Sequence, residues 1–154
     1  MKKIAVTFLS LLILSKTFSQ TTPVIPPYKK FPSYPPVKLL LPDSITYFSK
    51  EDLSKKSPVL LMLFNPQCEH CQHETEEIKK NIDRLKNVQI IMATTMPFDS
   101  MMAFRKKYNL SDYKNIFVTR DTHYFLPVFF DIRNLPFLAF YNRKKELIEV
   151  FEGS

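Results

Sequence analysis

The chain has 154 residues, 45 % of them hydrophobic and 24 % charged, and a formal net charge of +7. That length supports one domain with a core of its own, and the balance excludes a disordered chain and an integral membrane protein. Glycine occurs once, at Gly153, against twelve prolines, which excludes the glycine-rich phosphate loops of Walker-type and Rossmann-type nucleotide sites.

The chain opens with Lys2 and Lys3, an apolar run from Ile4 to Leu14, and Thr17-Phe18-Ser19. These are the three parts of a secretory signal peptide over 1–19, with cleavage after Ser19. The run is short for a spanning helix, which needs about 20 apolar residues; an uncleaved N-terminal membrane anchor is the alternative. Either way the folded part is exported, to a periplasm-like oxidising compartment. Removal of Lys2, Lys3 and Lys16 with the leader lowers the charge from +7 to +4. The remaining lysines fall in scattered pairs with no basic stripe between aromatics, so no nucleic-acid partner is expected.

Residues 20–36 are proline-rich and lack helical or strand periodicity, which predicts a tether or a segment laid over the domain, with Phe31 and Tyr34 as aromatics able to dock. One folded domain is expected over 37–154. Val37–Leu41 and Ile45–Phe48 read as short strands around Pro42-Asp43-Ser44, and Ser49 as the cap of a brief helix reaching Leu53. Pro58–Phe64 is a continuous apolar run, the pattern of a central strand covered on both faces.

Cys71, Thr75, Ile78, Ile82 and Leu85 recur at helical spacing, which predicts one helix over Cys68–Leu85. Its acidic residues precede its basic ones, as the helix dipole favours. Val88–Met92 reads as a strand, Pro97 onward as a helix with Met101, Phe104 and Tyr108 toward the core, and Ile116–Thr119 as a strand. Thr122–Phe130 reads as a short helix interrupted near Pro127. Phe137–Tyr141 and Leu147–Phe151 form a terminal hairpin. Alternating strands and helices followed by a hairpin give a three-layer α/β/α fold with a central mixed sheet.

Both cysteines and two of the three histidines lie in Asn-Pro-Gln-Cys-Glu-His-Cys-Gln-His-Glu, residues Asn65 to Glu74. Cys68 falls at a helix N-terminus, where free backbone N–H groups and the dipole favour a thiolate, and Cys71 falls one turn further on, toward the core. Cys68 is thus the candidate nucleophile and Cys71 the candidate resolving thiol, exchanging a disulfide with protein thiols and requiring neither metal nor organic cofactor. His70 is placed to donate to the Cys68 thiolate or to offset its charge, while Glu69 opposes it.

The segment VLLMLFNPQCEHC, its charged helix and NLPFLAFYNRKKELIEVFEG downstream resemble the thioredoxin-like family, in particular exported TlpA/ResA-type thiol-disulfide oxidoreductases of the redoxin kind. The resemblance spans Val37 to the end. It implies a cis proline at Pro136 facing the disulfide and a Leu135 backbone offered to an incoming peptide. It also favours reduction, although His70 resembles the placement found in oxidants and isomerases; in an exported compartment without a general reducing buffer such a reductase needs a membrane electron donor, and a monomer is expected. Two departures stand out: Gln67 occupies the position of the usual Trp, and Met62 that of a buried acid. Proton transfer at Cys71 then falls to Glu69, His70 or water. The family continues into a last helix where this sequence stops at Ser154, so either the chain is a shortened one or one sheet face is expected to be less covered.

Other readings remain. Cys68, His70, Cys71 and His73 supply enough ligands for zinc or copper, but 70 and 73 point away from 68 and 71 on a helix. A copper carrier would add the distant His123. A non-catalytic binding module, using the proline-rich segment and the less covered face, is the third. A peroxidase of the peroxiredoxin kind lacks its Thr or Ser ahead of the reactive cysteine, and an inert Cys68–Cys71 disulfide would close too short a loop to stabilise much.

Overall fold

In a computed structural model the described residues are 25–153, so the expected signal peptide lies outside them. Seven strands form a single sheet in the order β2-β1-β5-β4-β3-β6-β7. The strands are β1 (Leu39–Leu40), β2 (Tyr47–Phe48), β3 (Val59–Leu63), β4 (Gln89–Thr94), β5 (Ile116–Arg120), β6 (Phe137–Tyr141) and β7 (Leu147–Glu152). β3, β4 and β5 are parallel neighbours, and the remaining pairings are antiparallel. The mixed sheet and the helices on both of its faces make this a thioredoxin-like fold.

The continuous apolar runs have a simple cause: the sheet is covered on both sides. Along β3, Val59, Leu61 and Leu63 enter one core with Ile91, Leu126, Phe130 and Tyr141. Leu60 and Met62 enter the other, with Ile90, Met92, Cys71, Ile78, Met101 and Phe104. Strand side chains alternate between faces, so a strand buried on both carries no polar positions.

The helices are α1 (Pro27–Lys30), α2 (Glu69–Lys80), α3 (Ile82–Leu85), α4 (Phe98–Lys107) and α5 (Phe125–Phe130). The single helix expected over Cys68–Leu85 is two. Asn81, at φ −100° and ψ 13°, turns its side-chain amide onto the Glu77 carbonyl at 2.9 Å, competing with the helix ladder at the break. The interruption expected near Pro127 is absent, because Pro127 lies in the first turn of α5, where its missing N–H has no helical partner to lose. The brief helix after Ser49 is a 3-10 turn over Lys50–Asp52, in which the Asp52 carboxylate accepts from both the backbone and the hydroxyl of Ser49.

Within the described part of the proline-rich segment, residues 25–36, side chains and backbone pack onto the domain. Tyr34 is 1 % exposed, and its ring meets that of Tyr141 edge-on at 5.2 Å. The segment is also hydrogen-bonded to the β6–β7 hairpin, with Tyr34 N–H donating to the Lys145 carbonyl at 2.9 Å and Leu147 N–H to the Pro32 carbonyl at 2.8 Å. Lys145, in the hairpin turn, is only 8 % exposed. Its backbone is left-handed at φ 66°, and its ammonium donates to the carbonyls of Ser54 (2.6 Å) and Ser57 (2.7 Å). This links the hairpin turn to the approach to β3. On β7, Ile148 and Phe151 stand exposed, Phe151 packing edge-on against Phe140 at 5.7 Å. No helix among the described residues is long and apolar enough to cross a membrane.

If Tyr34 fastens the N-terminal segment, Tyr34→Ala costs about 3–5 kcal/mol, the range for truncating a large buried aromatic. Urea denaturation checks this; a loss below about 1 kcal/mol would mean that the segment contributes little to the fold.

Candidate active site

The site is built where β3 ends. Phe64 N–H still bonds to the Ala93 carbonyl at 2.9 Å, and the chain then turns through Asn65-Pro66-Gln67. Asn65 closes that turn twice: its side-chain carbonyl accepts from Gln67 N–H at 2.9 Å and its backbone carbonyl from Cys68 N–H at 3.0 Å. Cys68 is the N-cap of α2, with φ −79° and ψ 120°. Its Sγ accepts from Cys71 N–H at 3.3 Å, which satisfies one of the donors a helix start leaves open and places a partial positive charge at the sulfur. Gln72 Nε2 reaches back to the Pro66 carbonyl at 2.9 Å, tying the first turn of α2 to the loop.

The two sulfurs have different surroundings. Cys68 is partly exposed, whereas Cys71 is 0 % exposed, in the core with Phe64, Ile78 and Met92. Burial, and then hydrogen bonding with Cys68, pushes the Cys71 thiol up from 9.0 to about 12. Met62, at the position of the family's acid, is buried in that same core. Glu69, His70 and His73 are exposed. Neither Glu69 nor His70 hydrogen-bonds to a sulfur; the contacts Cys68 makes are with backbone.

The second wall is the loop before β6. The Leu135–Pro136 bond is cis, and the Leu135 carbonyl lies 3.6 Å from Cys68 Sγ. Two residues that the sequence reading gave no role in the site hold this loop. Glu152 Oε1 accepts from the backbone N–H groups of both Arg133 and Asn134, the latter at 2.7 Å. Gly153 N–H donates to the Pro136 carbonyl at 2.8 Å. A Cβ on Gly153 would lie 2.7 Å from the Leu135 carbonyl oxygen and 2.9 Å from the Pro136 ring. The chain's one glycine thus stands where a side chain would displace the cis-proline loop, and its being the only one was the available signal.

The third histidine is elsewhere. His123 follows β5, its Nδ1 2.9 Å from the Thr122 hydroxyl, in the wall of an apolar recess with Pro27, Phe31 and Tyr124. Among the described residues no three or more His, Cys, Asp or Glu side chains are grouped to hold a metal ion.

The asymmetry of the thiols is measurable. In single-cysteine variants, Cys68 in Cys71→Ser is expected to react with iodoacetamide at neutral pH. Cys71 in Cys68→Ser should react at least a hundredfold more slowly, because a thiol near 12 is almost wholly protonated there. The folded state holds this proton more tightly than the unfolded chain does. The reduced fold therefore loses stability as pH rises from 9.0 towards 12; Cys71→Ser should decline less steeply, keeping only the loss due to the buried Tyr34 and Tyr141 hydroxyls, whose protons burial also holds.

With this geometry the similarities to known proteins can be read. The model of the AhpC/TSA family matches residues 34–152, whereas no curated protein sequence matches the chain. Among solved structures, the chain is similar to a secreted disulfide oxidoreductase of Mycobacterium tuberculosis described as homologous to E. coli DsbE. That match has 18 % identity and a TM-score of 0.65, covering 77 % of this chain and 84 % of the other. It is also similar to MTB DsbF, at 21 % identity and a TM-score of 0.64, with 77 % and 84 % covered. A third is Etrx1, an exposed lipoprotein thioredoxin of Streptococcus pneumoniae strain TIGR4, at 20 % identity and a TM-score of 0.58, with 76 % and 88 % covered. The fold is the one these structures share, and a family match over most of its length makes this chain a member of the AhpC/TSA family of thioredoxin-like proteins.

Proposed function

We propose that this protein is an exported thiol-disulfide oxidoreductase of the TlpA/ResA type, reducing disulfides of protein clients through Cys68 and Cys71. The observation that carries the reading is the pairing of an accessible N-cap sulfur, 3.6 Å from the Leu135 carbonyl, with a buried sulfur one turn behind it. Export is supported by the leader-like 1–19 segment and by relatives described as secreted or exposed.

In the proposed cycle the Cys68 thiolate attacks one sulfur of the client disulfide. A bond forms between Cys68 Sγ and that sulfur, the client S–S bond breaks, and the other client sulfur leaves as a thiolate that takes up a proton. Cys71 then gives up its proton and attacks Cys68 Sγ, closing the Cys68–Cys71 disulfide and releasing the second client thiolate. The client gains two electrons and the pair loses two, so each turnover needs an external dithiol or a membrane electron donor to reopen it. Leu135 supplies backbone to an extended client segment, in the manner of an added strand. Glu69 and His70 act on the Cys68 thiolate through their charge, with opposite signs.

Equilibration with thiol buffers, followed by counting of free thiols, tests this directly. A reductase should show one reversible two-electron transition near thioredoxin's potential, about −270 mV. A value close to the roughly −120 mV of DsbA would overturn the direction, and a pair that no buffer opens or closes would overturn the exchange reading. In trapping experiments Cys71→Ser should accumulate a mixed disulfide through Cys68, and Cys68→Ser should not.

The loop clamp makes a separate prediction. Gly153→Ala moves the Leu135 carbonyl off Cys68 and should slow mixed-disulfide formation about ten- to a hundredfold, the cost of a misplacement near 1 Å. Single-turnover kinetics on a client peptide would show this, alongside an alkylation rate of Cys68 that changes much less.

A further inference from the structure

A recess opens beside the reactive cysteine, between the Asn65–Gln67 turn and α4. Its volume is about 250 Å³ and its walls are Pro66, Gln67, Ser100, Ala103, Phe104 and Lys107. Gln67 directly precedes Cys68, so the wall begins one Cα step, about 3.8 Å, from the nucleophile's backbone. Small-molecule sites usually measure about 300–1,000 Å³, so this recess fits one side chain better than a cofactor. The Phe104 side is apolar and buried, while the Ser100 hydroxyl, the Gln67 amide and the Lys107 ammonium supply polar groups.

Lys107 gives the recess its charge. A cation in the last turn of α4 suits the helix dipole, and Arg105 and Lys106 share that turn. The dipole does not account for where the ammonium rests. Lys107 Nζ lies 3.4 Å from Gln72 Oε1, and Gln72 is itself anchored to the Pro66 carbonyl at 2.9 Å. A continuous path, Lys107 to Gln72 to Pro66, thus holds a positive charge against the motif turn. Among the described residues no carboxylate pairs with Lys107. Of the nearby acids, Glu76 is paired with Lys79 at 3.4 Å, and Glu69 and Asp99 do not line the recess.

We infer that the recess is a client subsite for an acidic side chain, Asp or Glu, lying within a few residues of the client's reacting cysteine. Lys107 is its charge partner and Ser100 a hydrogen-bond donor. The inference rests on the thiol-exchange reading and narrows it: the favoured clients are proteins whose disulfide cysteines have carboxylate neighbours.

The test uses the reduced full chain and three short peptides whose single cysteine carries a neutral thiopyridyl disulfide, flanked by Glu, Gln or Lys. Release of thiopyridone reports attack by Cys68. The Glu peptide should react about fivefold faster than the Lys peptide, the scale of one partly exposed ion pair, and the gap should narrow in high salt. Lys107→Gln should bring the ratio close to one, and Lys107→Glu should invert it. Ala103→Glu, which brings a carboxylate of the protein's own into the recess, should also abolish the preference. Equal rates for all three peptides, or a preference that survives Lys107→Glu, overturns the subsite while leaving thiol exchange standing. Release from none of the peptides overturns both.

Discussion

The thiol site depends on the antiparallel register between β3 and β6. That register sets Leu63 opposite Phe137, so the turn leaving β3 and the loop entering β6 emerge at the same end of the sheet. Cys68 and Leu135 are 67 positions apart in the chain, yet the Cys68 sulfur meets the Leu135 carbonyl at 3.6 Å. A slip of one residue would turn the face of every β3 side chain and separate the two loops. The apolar runs on both strands guard against this, since β3 is buried at every position and β6 nearly so.

On that frame, function comes from a difference between two otherwise identical thiols. Cys68 lies at the boundary between loop and helix, partly open to solvent and served by the Cys71 N–H. Cys71 lies one turn further on, in the core, where the charged form is costly. The proposed exchange uses this difference: the partly open thiol would meet an incoming disulfide and the buried one would resolve it. The same burial makes Cys71 slow to ionise, so resolution requires a base or water to reach it once the mixed disulfide has formed.

The loop opposite the cysteines is held by backbone contacts from the end of β7. Glu152 gathers two consecutive N–H groups and Gly153 contributes a third bond, without a Cβ in the way. The N-terminal segment and the Lys145 turn stabilise the hairpin from the other end, through Tyr34 and the carbonyls before β3. Both ends of the β6–β7 hairpin are therefore tied to neighbouring chain, which keeps the Leu135–Pro136 loop from depending on the hairpin turn alone.

By itself the sequence determined what short-range chemistry can encode. Helical spacing placed Cys68 at a helix start and Cys71 on the buried stripe, and unbroken apolar runs marked strands covered twice. The hairpin, the mixed sheet and the separation of the histidines from the thiols followed from the same periodicities. Only the tertiary structure decided contacts between segments distant in the chain. Tyr34 left its proline-rich surroundings for the Tyr141 ring, and Lys145 was buried because two carbonyls from another loop met its ammonium. Glu152 and Gly153 gained a role in the site for the same reason: a hydrogen bond or a missing Cβ acquires meaning only once a strand end has been brought against a loop, and no local pattern records that approach.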